Sequence, residues 1–353
     1  MIVVSDLAAP NETFPMPASL QNIQSLPLSH GVPVPQTVPC IAAIDGGGTK
    51  TLLVVLGQDG TLGPVVRAAG SNPFDQSDWQ SVLHGLLAQI PDTAAALSLG
   101  IAGYGESRIH GRRQAELVAA AFPQPFSFTG DVEMACTGAF GGQAGVLLLS
   151  GTGSVAWATD GKGNQIKVGG WGGLFGDEGS AFWIGRQALS LLTMLLDGRN
   201  QEDQAFLAPF AGAMGLPLDT EPCGTALLEW YGALEHPRAS VAALTRIVSD
   251  LAEQGLEPAR RLMHQAADHL SEHIAAAQRR FPETRLPWSY AGGTFQSRFL
   301  REAIAARHGA PVEPRLPPVG GGLLSAARLA GWNPDDSWIS RTAAILRDAG
   351  LTS

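Results

Sequence analysis

Hydrophobic and polar positions along the chain change period several times, and each change predicts an element. From residue 41 a short apolar run, IAAI (41–44), leads into the turn DGGGTKT (45–51) and a second apolar run, TLLVVL (51–56). The turn GQDG (57–60) precedes a third such segment at 63–69, so the spacing predicts three strands in an antiparallel meander. The period then becomes helical over 76–90, and ALSLGIA (96–102) reads as a buried strand. A helix over 109–121 stops before Pro123, FSFTG (126–130) is a strand, and a further helix over 132–141 follows Asp131.

At Gly145 the same grammar restarts. VLLLS (146–150), SVAWAT (154–159) and QIKVGG (165–170) are strands separated by GTG and DGKG turns. Residues 180–285 are helical by pattern, PWSYAG (287–292) is a strand, and helices are expected near 296–307, 321–331 and 334–349. Two copies of strand, glycine turn, strand, turn, strand predict an α/β protein of duplicated halves. The expected organisation is an irregular or disordered extension over 1–38, a first domain over 39–142, and a second over 143–353 with a helical insertion. The closing helix could pack on either domain.

A length of 353 residues suits two domains. Only 16% of residues are charged and the net charge is −9, which argues against a nucleic-acid partner, since such proteins carry a basic patch or stripe. No run reaches the 18 or more apolar residues of a membrane span, and the start lacks the basic and apolar regions of a secretory signal. A soluble cytoplasmic protein without membrane partners is expected. Cys40, Cys136 and Cys223 lie far apart in no CxxC pair, and suggest neither a disulfide framework nor a zinc site.

The glycine turns carry the candidate chemistry. Asp45-Gly46-Gly47-Gly48-Thr49-Lys50-Thr51 joins two strands. Its glycines allow positive φ and close approach of a ligand, and successive N–H groups can cradle phosphate oxygens. Thr49 adds a hydroxyl, Lys50 a cation, and Asp45 could hold Mg²⁺ through water. An ordinary glycine-rich hairpin is the alternative. This is not a P-loop, because the G-x-x-x-x-G-K-[ST] spacing is missing. Ser150-Gly151-Thr152-Gly153-Ser154 repeats the arrangement in the second half, and two such turns could clamp a triphosphate. Gly292-Gly293, ahead of TFQSRFLREAI with Ser297, could lie against a nucleoside, as could Gly320-Gly321-Gly322. Either could equally be a tight loop.

Together these segments resemble the ASKHA superfamily of actin, Hsp70 and sugar kinases. Within it the chain is similar to the BadF/BadG/BcrA/BcrD ATPase family and its N-acetylglucosamine kinases, over about 41–331. GGWGGLFGDEGSAFWIG (169–185) resembles a segment of the amino-sugar kinases almost word for word. IDGGGTKT, LLLSGTGS and AGGTFQS resemble the two phosphate elements and the adenosine element.

The resemblance implies two ribonuclease-H-like domains around a cleft that closes on ATP and sugar, with Mg²⁺ as cofactor. It implies transfer of the γ-phosphoryl group to the 6-hydroxyl of an amino sugar, foremost N-acetylglucosamine. Asp131 matches the catalytic base; its position before a helix would also suit an N-cap. Asn72, Gly170, Trp171, Gly172 and Asp177 match sugar contacts, with Asp131 beside them. A turn role for Asn72, a core role for Trp171 and a capping role for Asp177 are the competing readings. Gly47, Gly48, Thr49, Lys50, Gly151, Thr152, Gly153, Ser154, Gly292, Gly293 and Ser297 fall on the ATP side, and Ala243 aligns there loosely. The resemblance leaves room for a homodimer.

The loop IAGYGES after the strand at 96–102 departs from the eukaryotic amino-sugar kinases. The choice among N-acetylglucosamine, glucosamine and a muramic sugar therefore stays open. Two other readings share the fold: an ATPase activator of a reductase, which would hold an iron–sulfur cluster with thiolates, and a non-catalytic sugar sensor.

Overall fold

The computed structural model describes residues 38–352, so residues 1–37 of the expected extension lie outside the described residues. The chain divides into two compact units. One runs through Gln143 and resumes at Pro314; the other is Ala144–Glu313.

The first unit is built on β1 (Cys40–Gly46), β2 (Lys50–Gly57), β3 (Leu62–Ala69), β4 (Ala94–Ile101) and β5 (Phe126–Thr129), with α1 (Trp79–Leu87), α2 (Arg108–Ala121) and α3 (Asp131–Phe140) between and after them. The strand order is β3-β2-β1-β4-β5. The meander pairs antiparallel, and β1 pairs parallel with β4 in a register of Asp45 with Gly100.

Strand β1 is apolar on both faces, as a central strand must be. Ala42 and Ile44 pack with Leu53, Leu97 and Leu99 under Trp79, Leu83 and Leu86 of α1 and Val118 of α2. On the other face Ile41 and Ala43 join Val54, Leu56 and Ala96 beneath Val319, Leu323, Ala326 and Ala327. Those last residues belong to a helix near the chain's end, Pro318–Leu329, which together with Asp336–Asp348 is numbered α11 and α12 in chain order. The sequence assigns 143–353 to one domain; the structure moves the segment from Pro314 onward to the first unit. The physical reason is the second apolar face of β1, which needs a cover.

The second unit holds β6 (Gly145–Ser150), β7 (Ser154–Thr159), β8 (Gln165–Gly169) and β9 (Trp288–Ala291), in the order β8-β7-β6-β9. β6 pairs antiparallel with β7 and parallel with β9. Its sheet repeats the first four positions of the first sheet. The long helical stretch resolves into α4 (Ala181–Leu196), α5 (Leu207–Ala213), α6 (Thr220–Gly232), α7 (Pro237–Ala243), α8 (Thr245–Glu253) and α9 (Glu257–Arg279). α9 is the central pillar: Leu262, Met263, Ala266, Leu270, Ile274 and Ala277 form one buried stripe, the spacing of a helix face turned to a core. After β9 a 3-10 turn, Gly293–Gln296, leads into α10 (Arg298–His308), capped by Ser297, whose hydroxyl accepts from the Leu300 N–H at 3.4 Å.

Gly320-Gly321-Gly322 lies inside α11, not in a turn before it. A Cβ on Gly321 would be 2.5 Å from the Gly138 nitrogen, and one on Gly138 would be 2.7 Å from the Pro317 carbonyl oxygen. These glycines let α3 and α11 touch backbone to backbone.

Candidate active site

In the first unit Asp45 occupies the penultimate position of β1, where the parallel strands β1 and β4 end and ligand sites of open α/β sheets gather. The chain turns through Gly46–Thr49 into β2. Gly47 N–H donates to the Lys50 carbonyl at 2.9 Å, and Ser71 N–H donates to the Gly47 carbonyl at 3.1 Å. The glycines provide room: a Cβ on Gly46 would collide with Ser71 Oγ and lie 2.7 Å from Ile101 Cδ1. The positive φ expected at these glycines is absent, here and at Gly151 and Gly153. Thr49 and Lys50 are exposed at the start of β2.

Asp131 is the first residue of α3, and the N-cap is Gly130, with no side-chain cap bond. The N-cap position itself thus falls on Gly130, one residue before Asp131. Asp131 and Asp45 belong to one electrostatic environment: burial, and then the Asp131 charge, push the Asp45 carboxyl up to about 7, with Lys50 opposing them. Two carboxylates that share a site disfavour double ionisation. Among the described residues no group of three or more His, Cys, Asp or Glu could hold a metal ion. The donor set still fits Mg²⁺, which keeps several waters and takes one or two carboxylates plus substrate phosphates.

Asn72 follows Ser71 in the loop that leaves β3. Its amide donates to Asp75 at 2.5 Å and its carbonyl oxygen accepts from Phe74 N–H at 3.1 Å, so its side chain braces the loop. Gly103 fits beneath it: a Cβ there would be 2.9 Å from Asn72 Oδ1 and 2.8 Å from the Phe74 ring.

In the second unit Ser150–Ser154 is held from several sides. Thr294 Oγ1 donates to the Ser150 carbonyl at 2.7 Å, Ser154 Oγ donates to the Glu178 carbonyl at 2.8 Å, and Ala181 N–H donates to the Gly151 carbonyl at 2.8 Å. Gly292 adopts φ 103° with its Cα against the Ser150 carbonyl, where a side chain would collide. Ser154 is buried and Thr152 exposed.

Asp177 has the left-handed φ of 59°, sparsely populated for a non-glycine residue. Its carboxylate accepts from Ser154 N–H at 3.2 Å and pairs with the Arg238 guanidinium at 2.5 Å. The Asp177 side chain is 3% exposed and that of Arg238 52%. Arg238 also lies 6.0 Å from the Phe182 ring centroid. The helix cap is Ser180, not Asp177. Sequence reasoning missed Arg238, whose partner is 61 residues away. The segment before Asp177 leaves Trp171 75% exposed, with Leu174 and Phe175 beside it also exposed. A core role for Trp171 is thereby overturned. Gly170 and Gly172 take φ of 71° and 82°, which explains why glycine stands there.

A cavity of about 620 Å³ opens beside this turn. It gathers Gly151, Thr152, Ala243, Gly293 and Ser297, all placed on the nucleotide side from sequence. Gly153, Ser154 and Gly292 do not line it. It adds Thr245, Arg246, Ser249, Asp250 and Glu253 of α8, which sequence reasoning missed. Their signal was a polar stripe at helical spacing in TRIVSDLAE.

Residues 43–326 match the BadF/BadG/BcrA/BcrD ATPase family, well over half of the chain. An N-acetylmuramic acid/N-acetylglucosamine kinase of Clostridium acetobutylicum is 24% identical over 247 residues, which are 67% of this chain and 78% of that protein. Among solved structures, a candidate N-acetylglucosamine kinase of Chromobacterium violaceum aligns with a TM-score of 0.65 and 28% identity, covering 84% of this chain and 100% of its own. A Porphyromonas gingivalis protein of similar assignment shares the fold with a TM-score of 0.58 and 20% identity, over 81% of this chain and 98% of its own.

Proposed function

Because the chain belongs to the BadF/BadG/BcrA/BcrD ATPase family, we propose that it is an ATP-dependent amino-sugar kinase whose first substrate is N-acetylglucosamine, phosphorylated at the 6-hydroxyl. The observation that carries this reading is the placement in the first unit of Asp45 near the end of β1 and Asp131 at the start of α3, with burial and the Asp131 charge raising the Asp45 carboxyl against Lys50. Phosphoryl transfer asks a protein for positioning, charge neutralisation and one carboxylate to take the hydroxyl proton.

Asp131 is the base. The N-terminal end of α3 favours negative charge at its position, and the proton of the sugar hydroxyl passes to its carboxylate. Asp45 would hold Mg²⁺ through water, and the ion when bound neutralises charge on the β- and γ-phosphates. Thr49 and Lys50 bind phosphate oxygens from the first turn, and the Gly151–Gly153 backbone from the second. The cavity beside Thr152 takes the nucleoside. Trp171 is a proposed sugar contact of the second unit, and the Asn72 loop that of the first. Asp177 anchors the segment that bears Trp171 and makes its own sugar contact as hydroxyls exchange with Arg238.

The thiols of Cys40, Cys136 and Cys223 are all buried, in β1, α3 and α6, which favours a kinase over an activator with a thiolate-held cluster. The Clostridium acetobutylicum relative's second substrate makes N-acetylmuramic acid the main alternative, ahead of glucosamine. A coupled ADP-release assay with Mg²⁺-ATP on N-acetylglucosamine, N-acetylmuramic acid, glucosamine, N-acetylmannosamine and glucose tests this. A kcat/KM preference for one amino sugar is expected. Bound ATP without turnover on any sugar would overturn it.

A further inference from the structure

Helix α8 carries its charges in the wrong order for its own stability. Arg246 lies in the first turn, Asp250 is four residues on, and Glu253 ends the helix. Helix dipoles favour anions at the N-terminus and cations at the C-terminus, so this order costs the helix stability. Arg246 and Asp250 also stand at the i, i+4 spacing of a helical ion pair. Among the described residues, neither forms an ion pair or side-chain hydrogen bond. Both instead line the cavity, as do Ser249 and Glu253. Two oppositely charged neighbours that face a cavity and leave each other unpaired are arranged for a ligand that is itself charged at one end.

The direction of the helix fixes which end. Thr245 Oγ1 donates to the Ala181 carbonyl at 2.6 Å, and Ala181 N–H donates to the Gly151 carbonyl at 2.8 Å. The N-terminus of α8 is thus tied to the glycine turn, and at 1.5 Å per residue Glu253 lies about 12 Å further along the axis. Away from the turn the cavity therefore presents a cation, then a carboxylate beside a hydroxyl, then a second carboxylate. A carboxylate repels phosphate and accepts hydrogen bonds from hydroxyl or amino groups.

We infer that α8 reads the nucleotide along its length: Arg246 pairs with the phosphates, Asp250 accepts from the ribose hydroxyls, and Glu253 accepts from an exocyclic amine of the base. This rests on the nucleotide-binding reading above and deepens it, since it makes the protein selective for a ribonucleotide carrying a base amine.

The experiment is calorimetric titration of the full chain with ATP, 2′-deoxy-ATP and inosine triphosphate in Mg²⁺. The same set is run on Asp250→Asn, Glu253→Gln and Arg246→Gln. These side chains lie at the surface of the cavity, and an unchanged Tm verifies folding of each variant. A hydrogen bond to a charged acceptor is worth enough to give about a tenfold preference. The parent should bind ATP about tenfold more tightly than 2′-deoxy-ATP, and Asp250→Asn should bring the two within about twofold. Glu253→Gln should narrow the gap between ATP and inosine triphosphate only. Arg246→Gln should weaken all triphosphates together while leaving adenosine unaffected. Nucleotide binding with equal affinity for ATP and 2′-deoxy-ATP in the parent, or a ratio unmoved by Asp250→Asn, would overturn the inference alone. No binding of any nucleotide would overturn it together with the kinase reading.

Discussion

Gly321 of α11 sits so close to Gly138 of α3 that an added Cβ would lie 2.5 Å from the Gly138 nitrogen and collide with the Met134 carbonyl oxygen. Neither neighbour is the flexible end of a side chain, so the helices must separate to admit even a methyl group. Gly321→Ala is expected to destabilise the first unit by about 3 kcal/mol, near the upper end of overpacking costs. Urea unfolding with far-UV detection measures it, and a change below about 0.5 kcal/mol, the scale of ordinary surface substitutions, would mean that the contact relaxes freely.

Asp45 gives a pH-dependent outcome whose sign can be worked out. Its folded-state value, raised to about 7 from an ordinary 3.8, means that folding favours the protonated form. The associated stability is complete below the ordinary value and is lost as pH rises through about 7. In chelator, Asp45→Asn should raise the Tm relative to the parent at pH 8, by a gain on the order of 2 kcal/mol, and lose that advantage at pH 4. The same variant should lose Mg²⁺-dependent turnover. Equal Tm values at pH 8 would show that the Asp45 charge carries no penalty.

Removal of the base should spare the nucleotide. Asp131→Ala is expected to lower kcat by about 10²–10⁴-fold, the usual contribution of general-base catalysis. ATP affinity should change little. Retained turnover would assign the proton to another group.

The Arg238–Asp177 pair predicts non-additivity. Arg238→Ala leaves a carboxylate that is 3% exposed without its cation, and after allowance for the half-exposed guanidinium should cost about 2 kcal/mol. Asp177→Asn removes the stranded charge, so the double variant should be less unstable than the sum of the singles. Strict additivity in a double-mutant cycle would mean that the pair is not coupled.

Trp171→Ala should raise the sugar KM about tenfold with the ATP KM nearly constant and Tm unchanged, because this ring is 75% exposed and packs in no core. A fall in Tm instead would return Trp171 to a structural role.

Local pattern carried much of this in advance. The continuous apolar runs IAAI and TLLVVL mark β1 and β2, and both glycine turns fall between strands where the spacing puts them. Relationships distant in sequence stayed hidden. Gly320-Gly321-Gly322 reads as a turn because glycine is unfavourable within helices, and only the facing backbone of α3 reverses that. Arg238 gives no local sign of Asp177. Asn72 engages Phe74 and Asp75 two and three residues on, the local turn its sequence allows, whereas the partners of Asp177, Ser154 and Arg238, come only from folding.

The cover that α11 and α12 place over Ile41, Ala43 and Val54 also sets an order of events at the ribosome. β1 is among the first described segments to emerge, and the whole of Ala144–Glu313 is translated before the residues that shield its second face. The nascent first unit must therefore wait with an uncovered apolar sheet while the intervening unit matures, an interval in which chaperone holding would protect it from aggregation.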